Sequence, residues 1–338
     1  MPLDLNKKML DKVARVGREA ALAAGALLRQ NYLKPHHITL KGAIDPVTES
    51  DLQAQQIIMD LIRQHFPDHT FLAEERVGEG EEGGLEIAGE GAKGSQPLPL
   101  QKTPPHPLPQ SLVGAQFIAP EAMGRDKSRP YRGSGGEFEE RAGAVSTGFQ
   151  PVSPWPSPRW IIDPLDGTVN FAHGFPMFCV SIAFEAEGRL EYGVVFDPLR
   201  EELFEAIRGQ GATLNGQPIR VSKTDRLDRA LLATGFPYDI RERLPGTLAR
   251  LGRMLGLAQG VRRGGSAALD MCYVACGRLD GFWEEHLKPW DTAAGLLLIT
   301  EAGGRITTFS GGPYELTSPN IVASNHLLHE KIVAQLQV

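Results

Sequence analysis

Asp163 and Asp166 stand three residues apart in the stretch Trp160-Ile-Ile-Asp163-Pro-Leu-Asp166-Gly-Thr168-Val-Asn170-Phe171. Two neighbouring carboxylates repel each other unless a cation lies between them. An all-oxygen donor set favours Mg²⁺ over zinc, which prefers nitrogen and sulfur. The Gly-Thr pair after the second acid offers backbone amides that can hold a phosphate. The same residues also suit a tight turn, because Asp-Pro and Asp-Gly are both turn formers. On this stretch alone, a magnesium site and a plain turn are equally good readings.

Other candidate groups have a similar double reading. Glu74 and Glu75 close a short strand beginning at Thr70, where a solvated acidic edge would do as well. Thr48 and Asp51 have the spacing of a helix-capping box, and Asp51 could also be a base or an orienting group facing the central stretch. Gly265-Ser266 opens a helix whose free N–H groups could hold an anion, or Ser266 could simply be the N-cap. Asp291, in the first turn of its helix, is explained by the helix dipole. Taken together, however, Glu74, Asp163, Asp166, Glu284 and Asp291 all fall at strand ends or helix starts. They are enough carboxylates for two or three divalent cations.

The elements that must position these groups follow from periodicity. Met9, Val13, Val16, Ala20, Ala24 and Leu27 recur at helical steps and predict a helix over 5–31. A second helix follows the Thr48 cap and ends at Phe66-Pro67. Trp160 to Ile162 reads as a buried strand ending at Asp163, and loops that open from strand ends are where sites are built. Strands are predicted at 178–184, 191–196 and 202–207, with an Asn215-Gly216 hairpin after them, so that antiparallel pairing surrounds the central stretch. Beyond about residue 225 the rhythm becomes alternating α/β. It has strands at 231–234, 279–283 and 305–309, and helices at 244–257, from 266 to Gly277, from 290 to 301 and at 326–336.

Composition narrows the function. The chain has 338 residues, 41% of them apolar and 22% charged, with a net charge of −6. That is ordinary for a globular protein, and it does not favour nucleic-acid binding. Cys179, Cys272 and Cys276 have no CxxC spacing, which suggests buried thiols in a reducing compartment. No stretch is long and apolar enough to span a membrane, and the start of the chain has no secretory pattern, so a cytoplasmic protein is expected. Residues 78–158 are dominated by Gly, Glu, Pro and Ser, first acidic and then proline-rich from Pro97 to Pro109. Such a segment is expected to be a disordered insert. Its Gly78-Glu-Gly-Glu-Glu-Gly83 matches GxGxxG in form only, being acidic and opening no helix.

The motifs in their order resemble the inositol monophosphatase family. Asp163-Pro-Leu-Asp166-Gly-Thr168-Val-Asn170-Phe resembles its D-P-[ILV]-D-G-T-x-N-[FY] signature. Trp290-Asp291-Thr-Ala-Ala-Gly295 leading to Thr300-Glu-Ala-Gly-Gly304 resembles its second signature, W-D-x-A-A-G…E-A-G-G. Asp45-Pro-Val-Thr48-Glu-Ser-Asp51 is similar to D-x-V-T-x-x-D, and Ala73-Glu74-Glu75 to G-E-E. The resemblance covers nearly the whole chain apart from the insert, which replaces what is usually a short hairpin.

This resemblance implies a mixed α/β fold, a layered αβαβα sandwich of the inositol monophosphatase and sugar phosphatase type. It implies a single domain over 1–338, with an α+β half to about 225 and an α/β half over 226–338. Glu74, Asp163, the Leu165 carbonyl, Asp166 and Asp291 would ligate two or three Mg²⁺. Asp51, Thr168 and Glu74 would position the attacking water, and the Gly167 and Thr168 amides, beside Leu165 and Asp166, would hold the phosphate. Gly265, Ser266, Ala267, Glu284 and Asp291 would contact the alcohol, and Lys41 would lie near the third metal or the phosphate edge. The implied reaction is hydrolysis of a small phosphate monoester, first of all myo-inositol 1-phosphate, by a lithium-sensitive homodimer. Histidinol phosphate, fructose bisphosphate and 3′-phosphoadenosine 5′-phosphate are the alternative substrates. A phosphatase-like protein that mainly binds a macromolecular partner is the alternative of another class. Lys288, before Trp290, would favour more highly charged substrates, or is simply solvated.

Overall fold

The computed structural model describes residues 7–34, 38–40, 46–75 and 158–337. Lys41 and Asp45 lie outside these residues, as does the expected insert apart from Pro158. The elements in chain order are α1 (Lys7–Asn31), β1 (Ile38–Leu40), β2 (Pro46–Thr48), α2 (Glu49–His65), β3 (Thr70–Ala73), β4 (Arg159–Asp166) and α3 (Thr168–His173). Next come β5 (Cys179–Ala186), β6 (Arg189–Asp197), β7 (Glu202–Ile207), β8 (Gly211–Leu214) and β9 (Gln217–Pro218). The remainder is β10 (Leu231–Thr234), α4 (Ile240–Leu257), β11 (Gly260–Arg262), α5 (Ala267–Ala275), β12 (Gly281–Glu285), α6 (Pro289–Glu301), β13 (Gly304–Thr307), β14 (Asn320–Asn325) and α7 (His329–Leu336).

Helix patterning dictates the layers. The buried positions of α1 include Val13, Val16, Ala20, Ala24 and Leu28, a single stripe. That stripe and the apolar face of α2 pack on one face of a seven-stranded sheet, against Trp160, Ile162, Phe184, Tyr192 and Val194. Helices α5 and α6 are apolar all round, the composition of a helix with no solvent face. They lie between two sheets, packing on Ile161, Ala183 and Val195 of the first and on Ala233, Phe282 and Ala323 of the second. The outer face of the five-stranded second sheet presents Leu232, Trp283 and Val322 to Met254 of α4 and to Ile332 and Val333 of α7. Five layers result, α1/α2, sheet, α5/α6, sheet, α4/α7, which is the αβαβα sandwich expected.

The seven-stranded sheet runs β3-β4-β5-β6-β7-β8-β9, antiparallel except for the parallel pair β3/β4. Parallel neighbours need a crossover connection rather than a two-residue hairpin. The expected Asn215-Gly216 turn is present, with both residues at positive φ between β8 and β9. The second sheet runs β11-β10-β12-β14-β13 and is mixed.

Several expectations shift. Strand β4 does not stop at Ile162 but continues to Asp166. Strand β3 ends at Ala73, before the two glutamates. The last helix begins at His329 rather than His326. Strands β11 and β14, the β1/β2 hairpin and the one-and-a-half-turn α3 have no counterpart in the sequence reading.

Candidate active site

The central signature acquires its geometry from one extra residue. In an unbroken strand, positions three apart face opposite ways. Asp163 pairs with Ser181 of β5 and Asp166 with Cys179, so three steps on β4 oppose two on β5. This bulge turns Asp163 and Asp166 to the same face, the one covered by α5 and α6, and sends Leu165 into the core beneath α1 and α2. Turn and carboxylate pair are therefore one feature. Gly167 then takes φ +95°, and a Cβ there would meet the Met177 carbonyl at 2.8 Å, so the turn needs glycine.

The acids reach one cavity of about 260 Å³ from different elements. Asp163 and Asp166 come from β4, Glu74 from just beyond β3, Glu284 from the end of β12 and Asp291 from the first turn of α6. Glu74 is tied to β4 by its backbone N–H to the Ile162 carbonyl (3.2 Å), and its side chain hydrogen-bonds Asp163. Leu165, Gly167, Thr168, Gly265, Ser266 and Ala267 complete the wall expected to meet substrate.

Asp51 does not line the cavity but reaches it through Thr168. Its Oδ2 accepts from the Thr48 N–H (2.8 Å) and Thr48 Oγ1 (2.6 Å), closing the capping box of α2. Its Oδ1 accepts from Thr168 Oγ1 at 3.1 Å. Thr168 Oγ1 is also 2.9 Å from the Leu165 carbonyl. The cap and the Thr168 contact are thus made by different oxygens of one carboxylate.

Ser266 is the N-cap of α5, accepting from the Leu269 N–H. It also donates to Asp166 Oδ2 (2.6 Å), which accepts from the Ala268 N–H too (2.8 Å). In this structure the anion at the start of α5 is the protein's own Asp166. Asp291 Oδ2 likewise accepts the Lys288 N–H at 2.7 Å.

Burial and mutual repulsion make these acids reluctant to ionise. Burial, then Glu74, Asp166 and Asp291, raise the Asp163 carboxyl well above the usual range. Burial and Asp166 do the same to Asp291, and burial and Asp291 to Glu284. Burial raises Asp166 to about 6 against the pull of its Ser266 and Ala268 hydrogen bonds. Burial also raises Asp51 to about 6, against the Thr48 hydrogen bonds. Among the described residues, no three His, Cys, Asp or Glu are already gathered to hold a metal ion. Asp166 is engaged by Ser266 and Ala268 of α5 and Asp291 by the Lys288 N–H, and the acids repel one another. The donor set nevertheless fits Mg²⁺: carboxylate and carbonyl oxygens around one cavity, each carboxylate destabilised by the next.

Some residues at or beside the cavity were not singled out in the sequence reading. Asn170 Nδ2 donates to the carbonyls of Met177 (2.7 Å) and Gly264 (2.9 Å), which ties the Asp-Gly-Thr turn to the start of α5. Asp270 is 2% exposed and lines the cavity one helical turn after Ser266. A lone acid in the apolar run of α5 was its signal. Arg263, stacked 5.6 Å over the Phe236 ring, stands at the rim with Lys288. Cys179 is buried against Asp166, and burial pushes its thiol up, which disfavours the nucleophilic thiolate.

Comparison with known proteins follows the same outline. The profile of the inositol monophosphatase family matches residues 9–106 and 132–338. The chain is 37% identical over 318 residues to the inositol-1-monophosphatase of Synechocystis, covering 94% of this chain and 86% of that one. It is 36% identical over 320 residues to the Nus factor SuhB of Escherichia coli, covering 94% and 93%. Among solved structures, the extragenic suppressor protein suhB of Bartonella henselae superposes with a TM-score of 0.71 at 32% identity, covering 96% of this chain and 98% of that one. By sequence along almost its whole length, and by the layered fold that carries the acids, this protein belongs to the inositol monophosphatase family of metal-dependent phosphomonoester hydrolases.

Proposed function

We propose that the protein hydrolyses a small phosphate monoester, myo-inositol 1-phosphate before others, with two or three Mg²⁺ and a water nucleophile. The observation that carries this reading is the convergence of Glu74, Asp163, Asp166 and Asp291 on one cavity that also holds Thr168. These four acids and the Leu165 carbonyl would hold the ions. Bound Mg²⁺ neutralises a phosphate dianion, acidifies water and stabilises a departing alkoxide.

The chain's own residues do the rest. A threonine hydroxyl has one proton to give. Above pH 6 Asp51 is mostly ionised, and the Thr168 proton is drawn to Asp51 Oδ1. The lone pairs of Thr168 Oγ1 are then left for a water in the cavity, orienting it and receiving its proton as the threonine's own proton passes to Asp51 Oδ1. The Gly167 and Thr168 amides hold the phosphate. Ser266 and Glu284 meet the alcohol hydroxyls, with burial and the nearby Asp291 disfavouring the charged form of Glu284.

A substrate panel tests this directly. Myo-inositol 1-phosphate, histidinol phosphate, fructose 1,6-bisphosphate and 3′-phosphoadenosine 5′-phosphate are assayed side by side at equal Mg²⁺. The highest kcat/KM is expected for myo-inositol 1-phosphate; a preference for another of the four would move the assignment to that substrate.

A second reading is supported by the 36% identity to a protein named Nus factor SuhB. In it, binding to a macromolecular partner is the main task. A chromosomal Asp163→Asn allele separates the two. Growth like wild type, where a deletion strain fails, would favour binding over hydrolysis.

A further inference from the structure

Beside the acids that would hold metal, the wall of the catalytic cavity carries Arg263, the residue after β11, and Asp270 of α5. The turn Gly264-Gly265 lies between them in the chain. A Cβ on Gly265 would meet Arg263 Nη1 at 2.6 Å, and one on Gly264 would meet Asp270 Oδ1 at 3.0 Å. Each charged group thus lies over one of two consecutive glycines, in space that a larger residue would fill. Glu284 joins them from β12 in the same way: a Cβ on Gly235 would meet its Oε2 at 2.0 Å. The Arg263 guanidinium is steadied by the Phe236 ring, 5.6 Å away, a contact through its face that leaves the N–H donors in its plane unused. It is near enough to favour the ionised forms of Asp270 and Glu284, yet among the described residues it closes no ion pair with either. The Asp270 carboxyl, 2% exposed, makes no hydrogen bond among the described residues. Buried polar groups in folded proteins are normally paired. Here a set of donors and an acceptor face one cavity with that capacity unused.

We propose that Arg263 and Asp270 are specificity-determining residues that read hydroxyl groups of the leaving alcohol, and so select a polyol phosphate over monoesters without hydroxyls. The inference rests on the phosphatase reading above and adds the residues that set its substrate class. An anion on the alcohol would suit Arg263 but be repelled by Asp270 and Glu284, and a cation would suit the acids but be repelled by Arg263. A hydroxyl satisfies both sides, because it accepts from one partner and donates its own proton to another. Neighbouring hydroxyls suit them best, since the planar guanidinium presents paired donors along one edge. A leaving group without hydroxyls would displace water from Arg263 and Asp270 and leave them unpaired. A site built to hydrogen-bond a hydroxyl rejects the analogue that lacks it for this reason.

The test compares myo-inositol 1-phosphate with 4-nitrophenyl phosphate, which has no hydroxyl on its leaving group, at equal Mg²⁺ on the full chain. Arg263→Met should lower kcat/KM about tenfold more for myo-inositol 1-phosphate than for 4-nitrophenyl phosphate, the worth of one hydrogen bond to a charged group, and through KM rather than kcat. Asp270→Ala should shift the preference in the same direction, and Asp270→Asn, which keeps an acceptor oxygen, by less. Circular dichroism and the 4-nitrophenyl phosphate rate of each variant separate lost recognition from lost folding. Equal losses on both substrates, or an Arg263→Met variant with the wild-type preference, overturn the proposal and leave the phosphatase reading in place. A loss confined to fructose 1,6-bisphosphate, run as a third substrate, makes Arg263 an anion contact and overturns it too. A wild type that hydrolyses none of the three defeats the phosphatase reading itself, and the proposal with it.

Discussion

At the scale of residues, the site consists of groups that each have two roles, and this is why the sequence left each of them open. Asp51 caps α2 through one oxygen and meets Thr168 through the other. Asp166 completes the start of α5 and also faces the cavity. A capping motif or a turn dipeptide cannot reveal the second role, because that depends on a partner more than 90 residues away, as in the Asp166–Ser266 contact. Asp163 is the most constrained of the set, 2% exposed and pressed by Glu74, Asp166 and Asp291. Asp163→Asn keeps the shape and removes one charge. Steady-state assays should show activity lower by on the order of 10²–10³-fold, typical for loss of a main electrostatic contact, with an unchanged circular dichroism spectrum. Turnover close to wild type would remove Asp163 from the metal set. Thr168→Ala takes away the hydroxyl that links Asp51 to the water. It should lower kcat by about 10²–10⁴-fold, the range of proton-transfer catalysis, with KM changed much less. A rise in KM alone would leave Thr168 only a binding role.

At the scale of elements, what matters is how closely the middle helices approach the sheets. Asp291 is placed by α6, and α6 crosses β6 at Gly193, where a Cβ would lie 3.1 Å from both Cα and O of Ala294. Gly193→Ala should push α6 outward. Such overpacking costs about 1–3 kcal/mol, to be read by urea denaturation. The Mg²⁺ concentration for half-maximal activity should rise with it, because Asp291 moves with the helix. Destabilisation with unchanged Mg²⁺ dependence would show that Asp291 is held independently of this contact. The helices and the long strands were legible because their periodicity is strong, as in the α1 stripe from Val13 to Leu28. Strand β14 was not, since Asn320–Asn325 mixes Ile321, Val322 and Ala323 with polar ends. Its strand character comes from its place between β12 and β13, which burial decides and local propensity does not. The β4 bulge was missed for a related reason: Pro164 reads as a strand stop, while the pairing with β5 resumes at Asp166.

At the scale of the whole molecule, the αβαβα stack brings together acids from positions 74 to 291 at the ends of several elements, without any covalent link between them. The order of motifs made that architecture legible through family resemblance, whereas the distances needed the fold. Gathering so many acids has a cost in stability. Their folded-state pKa values lie above those of an unfolded chain, so each stabilises the fold only while protonated. For Asp51 and Asp166, both at about 6, that contribution is lost as pH rises from about 4 through 6, and Asp163 and Asp291, raised by burial and by their acidic neighbours, lose theirs in the same direction. A cation that pairs with the ionised acids restores it. The gain in Tm on adding Mg²⁺ should therefore be small at pH 5 and grow toward pH 8, as read by differential scanning fluorimetry; a gain independent of pH would mean that the ions bind elsewhere. The central claim is tested most directly by phosphate release from myo-inositol 1-phosphate, measured with millimolar Mg²⁺ and again with excess EDTA, on wild type and Asp163→Asn in parallel. Release that requires Mg²⁺ and collapses in the variant is the expected result. Release that persists in EDTA, or no release from wild type at any Mg²⁺ concentration, would contradict it.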